Sequence, residues 1–251
     1  MSSGLRLVIG IALLAAALPV LAAGQDLFGR FFRARPAAVD YDGRFAFTRI
    51  RYGTRVGSNG GWEHDYPAAD RNFAAILDYA THARVRLDGS NVFDLDDPRI
   101  FENPVVYMSE PGFWTTDDAE ATSLRAYLLK GGFIIFDDFD GDEEWRNLVR
   151  QMKTVLPEHD FIRLDVTHPI FHSFFSLRTL DIPHPMLPGI QPEFLALFDD
   201  NRTSGRMMAI ANFNNDIGDY WEWSAEGLYT QDGTADAYRL GVDYLVYSMT
   251  H

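Results

Sequence analysis

The stretch Gly131-Gly132-Phe133-Ile134-Ile135-Phe136-Asp137-Asp138-Phe139-Asp140-Gly141-Asp142-Glu143-Glu144 constrains this chain more than any other. Two glycines stop whatever precedes them, four consecutive apolar residues follow, and a burst of carboxylates closes the run. An apolar run of that length fits a strand covered on both faces, as in a parallel sheet. In open α/β sheets, ligands collect at the carboxyl ends of such strands. The stretch thus predicts a fold class and the edge on which a site would lie, without naming a reaction.

The rest of the chain repeats the pattern. Phe45 to Tyr52 alternates apolar and polar residues and reads as a strand, followed by a Gly-rich loop from Gly53 to Asp65 that carries Trp62, Glu63, His64 and Asp65. Helical spacing of Phe73, Ile76, Leu77 and Ala80 predicts a helix over Ala68 to Thr81. Val85 and Leu87 suggest a short edge strand, and Asn91 to Asn103 reads as connection. Val105 to Met108 is a buried strand. A helix then starts near Asp117, with Glu120 three residues on in a capping pattern, and Gly131 stops it. A helix over Glu143 to Leu156, a short strand at Phe161 to Leu164 and a Pro-rich connection over Ile182 to Pro192 follow. Met207 to Ala211 is the last strong strand, and a final helix covers Ala235 to Met249. Strands alternating with helices predict a mostly parallel sheet with helices on both faces. Right-handed crossovers would bring the strand ends, and the polar bursts after them, to one crevice.

The N-terminus reads differently. Arg6 precedes an apolar run from Leu7 to Leu21, and Ala22-Ala23-Gly24 offers small residues for cleavage. Residues 1–23 are expected to be an export signal, with an uncleaved membrane anchor as the alternative. The basic residues Arg30, Arg33 and Arg35 weigh against translocation. Residues 24–42 read as a tether and residues 43–251 as one domain. Export points to the periplasm.

The net charge is -14, and Arg6 is the only charged side chain before residue 24, so the remainder is more acidic still. Such a surface argues against nucleic acid or anionic lipid as a partner, leaving the N-terminal segment as the only expected membrane contact. There is no cysteine, which excludes disulfides, thiolate metal sites and a Cys nucleophile.

Three pieces together resemble a known family: Leu124-Arg125-Ala126-Tyr127-Leu128 running into Gly131 to Asp138; His168-Pro169-Ile170-Phe171-His172-Ser173-Phe174; and the ending Tyr238 to Tyr247. With the opening strand, they look like the bacterial domain-of-unknown-function 4159 family over about residues 45 to 250. The resemblance implies a three-layer, flavodoxin-like sandwich similar to the class I glutamine amidotransferases. It carries over no catalytic residues. Glutaminases of that fold need a Cys nucleophile, which this chain lacks, and no Gly-x-Ser-x-Gly elbow replaces it.

Several constellations are candidate sites. Asp137, Asp138 and Asp140 could hold calcium or magnesium through crowded carboxylate oxygens, although their spacing is not that of an EF-hand; the bland alternative is a solvated turn. Asp137, closest to the strand, is the preferred ligand group. Asn212, Asn214 and Asp216 follow another strand and offer groups for sugar hydroxyls or a cation, or simply left-handed turns. Trp221 and Trp223, two apart as on a strand, with Trp62, supply flat faces that either stack on sugars or pack. His168 and His172 have the i, i+4 spacing of a zinc pair, but Pro169 favours a turn-capping His168 and a packed His172. The expected function is a non-catalytic ligand-binding or protein-interaction module for a small molecule, a carbohydrate or an envelope protein. Its crevice would be lined by Asp137, Asp138, Asn212, Asn214 and Asp216, with His168 and Trp62 nearby. The alternative is a metal- or carboxylate-dependent hydrolase acting on a carbohydrate or cell-envelope compound.

Overall fold

The computed structural model describes residues 38–54 and 61–251. The expected export signal, most of the tether and residues 55–60 lie outside the described residues.

Seven strands form one sheet in the order β3-β1-β4-β6-β9-β8-β7. These are β1 (Thr48–Arg51), β3 (Asn91–Asp94), β4 (Val105–Ser109), β6 (Phe133–Phe139), β7 (Ile162–Arg163), β8 (Glu193–Phe198) and β9 (Met207–Phe213). Strands β3, β1, β4, β6 and β9 are mutually parallel, whereas β8 runs antiparallel to β9 and to β7. The remaining two, β2 (Gly53–Thr54) and β5 (Trp114–Thr115), make a small antiparallel ribbon beyond the end of β1.

The helices are α1 (Ala68–Ala80), α2 (Asp118–Leu129), α3 (Gly141–Val155), α4 (Ile217–Glu222) and α5 (Gln231–Thr250). Alternation along each buried strand decides which helices cover which face. Phe133 and Ile135 of β6 pack with Phe73 and Leu77 of α1, Trp221 of α4 and Leu240 and Tyr244 of α5. Ile134 and Phe136 point the other way, to Leu124 and Leu128 of α2 and Leu148 and Met152 of α3. The sheet is therefore a buried middle layer, which is why its central strands read as unbroken apolar runs. Asp117 closes α2 with a capping box, accepting from Ala119 and Glu120 amides while Glu120 accepts from the Asp117 amide. No helix among the described residues is long and apolar enough to cross a membrane.

Three expectations need correcting, and one strand was not anticipated. The edge strand is Asn91–Asp94 within the supposed connection, and Val85 makes only an isolated bridge to Phe45. Only two apolar residues mark that strand, and its pairing with β1 outweighs its weak local signal. Glu193–Phe198 is a strand immediately after the Pro-rich connection. Residues 217–222 are helical, so Trp221 and Trp223 are not a strand pair: Trp221 is buried in the core and Trp223 is exposed. Helix α5 starts at Gln231, four residues before Ala235, because the Thr230 side chain accepts from the Gly233 amide as its cap.

Candidate functional site

Chain order reverses between β1 and β4: from β1 the chain steps to the edge at β3, then returns to continue on β1's other side. At such a switch point the loops leaving the two strands part and open a crevice. The polar groups of this domain gather at these strand ends.

Asp137 fastens the floor. It is fully buried at the end of β6, and its carboxylate accepts from Tyr107 Oη (2.7 Å), Asn212 Nδ2 (2.8 Å), the Gly218 amide (2.9 Å) and the Ile217 amide (3.3 Å). Asn212 in turn accepts from Tyr244 Oη through Oδ1 at 2.9 Å. Burial pushes the Asp137 carboxyl up to about 6, against these hydrogen bonds, which favour the charged form. The preferred ligand residue of the sequence is thus committed to holding β4, β9 and the start of α4 together.

Asp138 is free for another role. The pairing of β6 with β9 shifts between Phe136 and Phe139, and Asp138 sits in this irregularity with φ 60°. Bulges of this kind re-aim a side chain next to a site. Its Oδ2 lies 2.6 Å from His64 Nδ1 and accepts from Ser109 Oγ at 3.1 Å. The bond to Asp138 raises the His64 imidazole to about 10.

His64 is held in place by an internal strut. Arg49 is fully buried on β1, donates to Asp70 of α1 (2.8 Å) and to the carbonyls of Trp62 (3.0 Å) and His64 (2.7 Å). Its guanidinium also lies 4.9 Å from the centre of the Tyr107 ring, and these contacts fix the path of residues 62–64 over the strand ends.

The next residue, Asp65, has φ 62° and a side chain without exposed surface. Neither of its carboxylate oxygens has a hydrogen-bond partner. Its Oδ1 is 3.5 Å from His64 Nδ1, and a Cβ on Gly218 would stand 2.4 Å from its Oδ2. Burial, reinforced by Asp138, pushes this carboxyl up to about 8. Asp216 caps α4 through the Asp219 amide (2.8 Å), and burial holds its carboxyl well above the usual range. Asp219 accepts from Tyr229 Oη at 2.7 Å. At the mouth Glu110, with φ 48°, accepts from the Gly61 amide, and burial raises it to about 7.

Two groups of ligand-capable atoms lie within 4.8 Å of one another: His64, Asp138 and Asp216; and Asp65, Asp219 and Glu222. Among the described residues these are the clusters with metal-ligand geometry, and neither includes Asp137 or Asp140. The expected triad of Asp137, Asp138 and Asp140 is dispersed because Asp137 points to α4 while Asp140 begins α3, its amide donating to Glu144 at 3.0 Å.

Other expected residues are placed as follows. Asn214, at φ 57°, accepts from the Gly141 amide (3.1 Å) and donates to the Gln191 carbonyl (3.2 Å), tying loops together. Trp62 is half-buried, its ring 5.8 Å from that of Tyr66. His168 caps a 3-10 turn, Pro169–His172, accepting from the Ile170 amide. Its ring lies 5.8 Å from that of Phe198, which pairs with Met207 at the start of β9, so His168 belongs to the opposite edge of the sheet. The structure brings together Asp138 and Asp216 from the expected set and adds His64, Asp65, Ser109, Glu110, Asp219 and Glu222. The signal for His64 and Asp65 was their place in the loop after the first strand.

The class defined here is an α/β domain with a cluster of acidic side chains at its strand ends. The family described as "Domain of unknown function (DUF4159)" matches residues 46–249, and the chain belongs to that family. No curated protein matches the sequence.

Proposed function

We propose that this chain is a flavodoxin-like, amidotransferase-like domain that works as a non-catalytic binding module. Its working surface is the anionic crevice between the ends of β1, β4 and β6. The parallel strands, counted along the chain, run in the order 2-1-3-4-5, which supports the flavodoxin-like assignment. The observation that carries the functional reading is the fate of the two acids best placed for chemistry. Asp137 is consumed on both oxygens by Tyr107, Asn212 and backbone amides of α4, so it does not stand as a free acid or base, and Asp216 spends one oxygen on the amide it caps. What faces the crevice is the His64–Asp138 pair with surrounding carboxylates, an arrangement suited to a ligand that brings positive charge. A small molecule, a cation-bridged carbohydrate and a basic segment of an envelope protein all qualify. A Cys-dependent glutaminase has no nucleophile here.

Export to the periplasm, by a cleaved signal or an uncleaved anchor, belongs to the same proposal and is tested by fractionating cells and sequencing the mature N-terminus. The binding reading is tested by thermal unfolding against a library of amines, amino sugars and cation-containing oligosaccharides. Stabilisation by a compound, abolished by Asp138→Ala in a folded protein, is expected; no hit across the library refutes it. One observation favours a hydrolase as the second reading: Glu110, at about 7, has the proton affinity of a general acid at neutral pH. Turnover of envelope polysaccharide lost on Glu110→Gln would establish it.

A further inference from the structure

Among the described residues, Asp65 is the carboxylate at the site with neither oxygen hydrogen-bonded. Both oxygens lack hydrogen-bond partners, the side chain has no exposed surface, and the nearest cation, His64, is committed to Asp138 at 2.6 Å and stands 3.5 Å away. A buried carboxylate left this way costs several kcal/mol, and proteins resolve the cost by protonation or by coordinating an ion. Protonation alone leaves both oxygens without a partner. The carboxylates of Asp219 and Glu222 offer oxygens within 4.8 Å of Asp65 and of each other.

Three features hold this arrangement. Asp65 follows the His64 carbonyl, which Arg49 clamps, and its own carbonyl accepts from the Ala69 amide at 3.0 Å as α1 begins. Asp219 is oriented by Tyr229 on one oxygen. Gly218 lets α4 approach the Asp65 carboxylate closely, since any side chain there would overlap Asp65 Oδ2 and Tyr107 Oη. The donors are all oxygen, on elements fixed by buried contacts.

Resting on the reading of the crevice as the working surface, we propose that Asp65, Asp219 and Glu222 form a binding site for one hard divalent cation of the Mg²⁺, Mn²⁺ or Ca²⁺ class. Three carboxylates with open coordination positions filled by water suit such ions. In the neighbouring cluster of His64, Asp138 and Asp216 each group already has a hydrogen-bond partner, Asp138 from His64 and Ser109 and Asp216 from the Asp219 amide, whereas Asp65 has none. The cation would be the positive element through which the crevice holds a carbohydrate or other hydroxyl- or carboxylate-bearing ligand.

The test uses Mn²⁺ alone as probe, followed by calorimetry and by loss of the free-ion electron paramagnetic resonance signal. The wild-type protein is expected to take up one Mn²⁺ per chain, competed by Mg²⁺ or Ca²⁺. Asp65→Asn should weaken uptake at least tenfold. Glu222→Gln, which changes a half-exposed residue at the end of α4 and leaves the core intact, should do the same. Asp236→Asn, on the surface of α5, should change nothing. No uptake at millimolar Mn²⁺, or uptake that both variants leave unaltered, overturns the site. An organic ligand whose binding depends on Asp138 but on no cation would also overturn it, while leaving the crevice reading in place.

Discussion

Replacing Asp137 separates a fastening role from a ligand role. In Asp137→Ala four buried donors lose their acceptor: Tyr107 Oη, Asn212 Nδ2 and the amides of Ile217 and Gly218. Each stranded donor costs about 1–3 kcal/mol. Against this, the variant no longer buries a charge. The Asp137 carboxyl is raised from 3.8 to about 6, so relief of that penalty returns about 3 kcal/mol at neutral pH. The balance is a loss of about 1–9 kcal/mol, which in its middle range is a large part of the 5–15 kcal/mol stability of an ordinary domain. Asp137→Asn keeps the shape but turns one acceptor into a donor facing donors, and should lose about 2–4 kcal/mol. Urea unfolding at pH 7, followed by circular dichroism, measures both. An Asp137→Ala protein as stable as wild type, or more stable, would refute the reasoning.

Three further outcomes follow. Arg49→Leu should destabilise the fold by about 3–5 kcal/mol in the same assay, because it leaves Asp70 buried without its partner and releases the carbonyls of Trp62 and His64. Gly218→Ala should cost about 1–3 kcal/mol through overlap with Asp65 and Tyr107, and part of that cost should vanish in an Asp65→Ala background, which a double-mutant cycle reads directly. Asp243 is buried on α5, accepts from the Phe174 and Phe175 amides with Oδ1, leaves Oδ2 unpartnered and faces His172; burial raises its carboxyl from 3.8 to about 6. A carboxyl with a raised folded-state value stabilises its protonated form, so its contribution is most favourable below about pH 4 and is lost as pH rises through about 6. Asp243→Asn should therefore gain on wild type between pH 4 and pH 7, by at most about 3 kcal/mol and less where water reaches the group. Thermal unfolding across that range checks it, and a constant difference would contradict it.

The layered α/β plan was legible because burial on both faces leaves strong runs, as in Phe133 to Phe136 and Val105 to Met108. Asn91–Asp94 and Glu193–Phe198 were harder: a short edge strand and an antiparallel strand after prolines owe their state to neighbours distant in sequence. The edge carrying the site followed from the carboxylates after β6, but the division of labour did not. Asp137 and Asp138 are adjacent and identical, and only the break in β6–β9 pairing sends one to the floor and the other to the mouth. His64 and Asp65 were visible as residues of a loop. Their importance depends on Arg49 and Gly218, which are 15 and 154 positions away from His64 in the chain and meet them only after folding.

The most direct measurement is an anomalous difference map from crystals of the protein grown with Mn²⁺. A single peak ligated by Asp65, Asp219 and Glu222, beside an intact His64–Asp138 pair, is the predicted result. Density at Mn²⁺ saturation showing no peak there, with Asp65 hydrogen-bonded to protein groups instead, would contradict the account.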